Sequence, residues 1–91
     1  MNKTELIHEA ANLAGASQKD TGKILDAVLE TISAGLEHGE SVQIAGFGTF
    51  EARIRSARTY RNPATGEMIH KDAAKAPAFK PGKALKERVM D

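Results

Sequence analysis

The sequence predicts an α+β fold: a helical body under a three-stranded antiparallel sheet that extends into a β-ribbon arm. Three observations carry that prediction. Apolar residues recur at helical spacing up to about residue 40, the period changes to two from Ser41, and the stretch Arg53 to Lys75 stays extended while losing the large apolar residues that would bury it. The 91 residues support one domain, 1–91, with a helical dimerisation body over 1–40, a sheet over 41–80 carrying an arm at about 53–75, and a C-terminal helix over 81–91. A single domain of this size is only marginally stable, and the arm leaves still less chain for a core, so a homodimer pooling two half-cores is the expected stable unit.

The first helix starts at Asn2, a good N-cap with Glu5 three positions on, and its apolar set is Leu6, Ile7, Ala10, Ala11, Leu13 and Ala14 before the stop at Gly15. The second starts at Ser17, with Asp20 in the capping-box position. It continues through Ile24, Leu25, Val28, Leu29, Ile32 and Leu36 until His38-Gly39. The short link makes a helical hairpin, and this apolar stripe is wide enough to serve both the first helix and a second subunit, with Leu29, Ile32 and Leu36 expected at the dimer interface.

From Ser41, Val42 and Ile44 alternate with Gln43 and Ala45, and Gly46-Phe47-Gly48 reads as a tight reversal into an antiparallel strand. Phe47, Phe50 and Phe79, in a chain without Trp, read as shared core or dimer interface, joined by Ile44. Beyond Ala52, Arg53 and Arg55 share one strand face, and Arg58 and Arg61 continue the positive run. Asn62-Pro63-Ala64-Thr65-Gly66 is turn chemistry, and the return limb runs from Glu67 to Lys75. Each limb of ten or so residues, at about 3.3 Å per residue, projects on the order of 30 Å. Ala76-Pro77-Ala78-Phe79 is a short segment whose proline suits an edge or a strand end, and Lys80-Pro81-Gly82-Lys83 introduces the last helix.

The net charge of +1 conceals a partition. Residues 1–51 hold three lysines against eight carboxylates, a balance of −5, whereas residues 52–91 hold ten Lys and Arg against four carboxylates, a balance of +6. Such asymmetry points to a polyanion-facing surface. The absence of Cys excludes a disulfide framework and suits a reducing cytoplasm, and nothing resembles a signal peptide or a membrane span. His8, His38 and His70 are scattered, with no metal spacing, and Gly46-Phe47-Gly48 lacks a phosphate-loop pattern. The expectation is a protein that is not an enzyme and has no cofactor or metal.

The ribbon carries a different chemistry. Arginines at alternating positions on a twisted two-stranded element follow a groove and meet phosphates along it. Pro63 at the tip lacks a backbone N–H and forms a compact apolar wedge fit to open a base step. The expected partner is double-stranded DNA.

Taken together, Gly46-Phe47-Gly48-Thr49-Phe50, the arm from Arg58 to Gly66, and Pro77-Ala78-Phe79-Lys80-Pro81-Gly82-Lys83-Ala84-Leu85-Lys86 resemble the bacterial HU/IHF family of DNA-bending proteins. That family is itself a standard instance of minor-groove wedge insertion. The resemblance covers essentially the full chain and is closest in character to HU. It implies an intertwined dimer with two arms, cytoplasmic and nucleoid-associated, that bends and compacts DNA with little sequence specificity. It further implies that Pro63 is the wedge, with Arg61 and Asn62 beside it in the minor groove. Arg53, Arg55, Arg58 and Lys75 become arm contacts, and Lys3, Lys80, Lys83 and Lys86 meet flanking phosphates along the body. Tyr60, where many relatives have Gly, and Lys71-Asp72, where relatives more often have an apolar residue followed by Ala or Pro, depart from the pattern, and no DNA contact is carried onto His70, Lys71 or Asp72. Alternatives are a site-specific IHF-like subunit, a heterodimer with a related chain, RNA as ligand, and a protein-interaction module.

Overall fold

The computed structural model describes residues 1–90 in the order α1 (Lys3–Ala14), α2 (Gln18–Glu37), β1 (Val42–Ile44), β2 (Gly48–Arg55), β3 (Arg58–Arg61), β4 (Met68–Lys71), β5 (Ala74–Pro81) and α3 (Lys83–Met90). Asp91, the last residue of the expected C-terminal helix, lies outside the described residues. The chain divides into two compact units, Met1–Ala34 and the part from Gly35 onward.

In the first unit the caps sit where the sequence puts them. The Glu5 N–H donates to Asn2 Oδ1 at 2.9 Å and the Asp20 N–H donates to Ser17 Oγ at 3.0 Å, each satisfying one of the donors a helix start leaves unpaired. Gly15, at φ 67°, ends α1, and the Ala16 N–H closes back onto the Ala11 carbonyl at 2.9 Å. Among the described residues Ala11 is the one apolar side chain wholly buried by the chain itself. Leu6, Ile7, Ala10, Ile24, Leu25 and Val28 instead line an open apolar groove between the two helices.

In the second unit β1, β2 and β5 form an antiparallel sheet in that order, and β3 and β4 form a separate two-stranded ribbon. The β1–β2 reversal is a four-residue turn closed by the Phe47 N–H on the Ile44 carbonyl at 3.0 Å, with Gly46 at φ 79°, the conformation that favours glycine at its third position. Gly48 is needed for another reason. A Cβ there would lie 2.6 Å from Phe79 Cζ and 2.7 Å from the Lys80 carbonyl oxygen. The bare backbone at Gly48 thus admits the Phe79 ring, which meets Phe50 at 4.8 Å and Phe47 at 5.5 Å between centroids. The Gly82 N–H donates to the Phe47 carbonyl at 2.8 Å, tying the turn to the start of α3.

Two features differ from the sequence reading. The segment around Pro77 is not short: β5 runs eight residues with Pro77 opposite Ala52 in mid-strand, and it is tolerated because β5 is an edge strand. The limbs of the arm are also not continuous. Arg55 pairs with Ala74 and Arg58 with Lys71, so Ser56 and Ala57 on one limb and Asp72 and Ala73 on the other fall outside both ladders. Arg53 and Arg55 accordingly belong to the three-stranded sheet, and the separate ribbon begins at Arg58.

Candidate nucleic-acid interface

The ribbon pairs Arg58 with Lys71, Thr59 with His70, Tyr60 with Ile69 and Arg61 with Met68. Side chains alternate across it, so Arg58, Tyr60, Ile69 and Lys71 occupy one face and Thr59, Arg61, Met68 and His70 the other. All of these are exposed except Ile69, which is half-buried. Among the described residues the ribbon is largely open to solvent, with too few large apolar side chains to build a core of its own.

The tip is a built turn. Asn62 supplies three of its bonds: its N–H donates to the Glu67 carbonyl at 2.8 Å, its carbonyl accepts from the Gly66 N–H at 2.7 Å, and its Oδ1 accepts from the Ala64 N–H at 2.8 Å. The side-chain oxygen therefore works as an internal brace. Pro63, exposed, follows directly at the apex with no amide N–H to satisfy. The sequence reading named Asn62 for the groove, and its structural role was visible only as turn propensity.

The cations among the expected DNA-contact residues fall into three groups. Arg55, Arg58, Arg61, Lys80 and Lys86 form no ion pair among the described residues, whereas Lys3 pairs with Asp26 at 2.6 Å, Arg53 with Glu51 at 2.8 Å and Lys83 with Glu87 at 3.9 Å. These pairs are exposed and exchange readily for another anion, since surface ion pairs contribute at most about 1 kcal/mol. Lys75 is held differently. Its Nζ donates to the Glu37 carbonyl at 2.9 Å, at the C-terminal end of α2, where a cation is favoured by the helix dipole.

Three arm contacts escaped the sequence reading. The Arg58 guanidinium lies 5.2 Å from the centroid of the Tyr60 ring, a cation–π arrangement that gives Tyr60 a packing role along the ribbon. His70 bridges the limbs, with Nδ1 at 3.2 Å from Thr59 Oγ1 and Nε2 at 2.9 Å from Asp72 Oδ1. The strand register puts Thr59 opposite His70, and only that register, not spacing along the chain, reveals the link.

Of the expected interface residues, the structure brings Phe47, Phe50 and Phe79 together as the aromatic cluster described above. Leu29, Ile32 and Leu36 lie along one face of α2. Within the single chain Leu29 is 46% exposed, Ile44 38%, Phe47 43% and Phe79 39%, while Ile32, Leu36 and Phe50 are half-buried.

The profile of the family described as bacterial DNA-binding protein matches residues 1–90. The chain belongs to that family. Within it, the chain is 55% identical over 89 residues to the DNA-binding protein HU of Geobacillus stearothermophilus, covering 98% of this chain and 99% of that one. Among solved structures it is similar to an Anabaena HU–DNA cocrystal structure, with a TM-score of 0.88 and 43% identity over 98% of this chain and 97% of the other. It is also similar to HU from Thermotoga maritima, with a TM-score of 0.69 and 46% identity over 98% of both chains. These HU relatives favour the HU reading over the IHF-like subunit. No helix among the described residues is long and apolar enough to cross a membrane.

Proposed function

We propose that the chain is an architectural DNA-binding protein of the HU type, acting as a homodimer on double-stranded DNA with little sequence specificity. The observation that carries the reading is the solvent-exposed β3–β4 ribbon, whose arginines have no carboxylate partner and whose apex is Pro63, on a chain of the bacterial DNA-binding family.

Dimerisation is supported by exposed apolar side chains. Leu29, Ile44, Phe47 and Phe79 leave more than a third of their surface exposed in the single chain, and apolar groups of this kind form the interfaces of obligate homodimers. The 91 residues act as a single domain whose core is completed by the partner.

The mechanism follows from the ribbon. Arg55, Arg58 and Arg61 place planar cations along a groove and displace its counterions, which supplies sequence-independent affinity. The minor groove of B-DNA is about 6 Å wide, so a two-stranded element widens it on entering. Pro63 then unstacks a base step, with Arg61 and Asn62 beside it, and the bend brings flanking phosphates toward the lysines of the body: Lys3, Lys80, Lys83 and Lys86. Arg53 and Lys75 flank the base of the arm. Function of this kind places the protein in the nucleoid and requires no catalysis.

The test is an end-to-end fluorescence transfer measurement on a labelled duplex. Pro63→Ala is expected to reduce the bend more than it reduces affinity. An unchanged bend removes Pro63 from the wedge role, and failure of the parent protein to bind duplex DNA at moderate salt returns the ribbon to the protein-interaction alternative.

A further inference from the structure

Where the two sheets part, the arm opens into a hollow of about 520 Å³ lined by Arg55, Ser56, Arg58, Lys71, Asp72 and Ala74. Three of these six side chains are cations. The register sets Arg58 directly opposite Lys71, and like charges facing each other across a strand pair destabilise it. The one carboxylate present, Asp72, has its Oδ1 2.9 Å from His70 Nε2 and makes no ion pair with any of the three cations. Among the described residues no ion pair reaches Arg55, Arg58 or Lys71. The Arg58 guanidinium carbon lies over the Tyr60 ring, 5.2 Å from its centroid, a contact that engages no hydrogen-bond acceptor.

From this arrangement we infer that Lys71, together with Arg55 and Arg58, seats one phosphate group at the break between the sheets. Two guanidinium forks and an ammonium surround a polar hollow, and a tetrahedral anion has oxygens for all three. Arg55 and Arg58 belong already to the proposed DNA-binding arm. Lys71 is the added residue, and it converts a run of arginines along one limb into a seat spanning both. A phosphate there turns the Arg58–Lys71 repulsion into a bridged attraction, so the seat also fastens the base of the ribbon when occupied. The inference rests on the DNA-binding reading for its principal ligand, a backbone phosphodiester. Free inorganic phosphate offers the same chemistry.

The experiment compares the full chain with Lys71→Met and Lys71→Arg, all checked for parental far-UV circular dichroism. Fluorescence anisotropy with one labelled duplex is measured across 50–200 mM KCl. If the seat holds a backbone phosphate, Lys71→Met lowers the slope of log K against log salt by about 0.9, which is about a fivefold loss of affinity at 0.15 M, and Lys71→Arg retains the parental slope. In a parallel arm without DNA, inorganic phosphate is titrated while the amide resonances of residues 55–58 and 71–74 are followed. Saturable shifts in the parent that vanish in Lys71→Met, with no change in the DNA slope, assign the seat to the free anion. A steep parental slope unaltered by Lys71→Met, with no phosphate-dependent shifts, overturns the inference and leaves the DNA-binding reading standing. A parent that binds no duplex overturns that reading instead.

Discussion

Replacing Gly48 by Ala tests the packing that holds the sheet to its aromatic cluster. The added methyl would lie 2.6 Å from Phe79 Cζ and 2.7 Å from the Lys80 carbonyl oxygen, where ordinary contact needs about 3.5–4 Å. The ring alone cannot absorb the difference. It is already fixed between Phe50 and Phe47, and the Lys80 carbonyl belongs to a strand paired residue for residue with β2. Overpacking of this kind costs about 1–3 kcal/mol, and two simultaneous contacts, one of them with backbone, put Gly48→Ala in the upper half of that range. At about 4–8 °C per kcal/mol for a domain of this size, the melting temperature is expected to fall by about 10–20 °C. Parent and variant must be melted at equal protein concentration, because the stability of an obligate dimer depends on it. A double-mutant cycle assigns the cause: Phe79→Leu destabilises the parent, and it is expected to cost less in the Gly48→Ala background, where the smaller side chain relieves part of the clash. A melting temperature within about 2 °C of the parent, or strictly additive effects, would refute the packing argument.

Two further predictions concern the arm and its base. Asn62→Ala removes the acceptor of the Ala64 N–H bond, and a net cost near 1 kcal/mol appears as hydrogen exchange at Ala64 faster by about fivefold while exchange in β2 and β5 stays unchanged. Lys75→Met frees the Glu37 carbonyl and is expected to lower the melting temperature by a few degrees through loss of the helix-end cation; it also lowers the salt slope of DNA binding by about 0.9. Reduced stability with an unchanged slope would restrict Lys75 to the end of α2.

Much of this fold was legible in the chain because its punctuation is strong. Asn2, Ser17, Gly15 and Gly39 mark the helix ends by chemistry that acts over three to five residues, and the change of period at Ser41 separates helices from sheet. The candidate arm was equally plain, since arginines replace apolar residues where the alternation continues. What escaped was whatever depends on register between limbs. The ladders break at Ser56–Ala57 and Asp72–Ala73 although the side-chain pattern does not, and the link of His70 to Thr59 exists only once Thr59 is set opposite His70. Lys75 reaches a carbonyl 38 positions away, a distance over which no local rule operates. Pro77 gave a signal that was correct in kind, an edge strand, and misleading in extent, because an edge tolerates a missing donor in mid-strand.

The paired gaps in the arm bear on how indifferent such a protein can be to the form of its DNA. Two residues on each limb, at the same level, stand outside any ladder, so no pairing bond fixes the angle between ribbon and sheet. A rigid junction would set one angle of approach and reward one curvature of duplex. On the DNA-binding reading a compliant junction is expected to spread the reward over many, so that straight, nicked and already bent duplexes compete for the protein on nearly equal terms, a result a competition measurement checks.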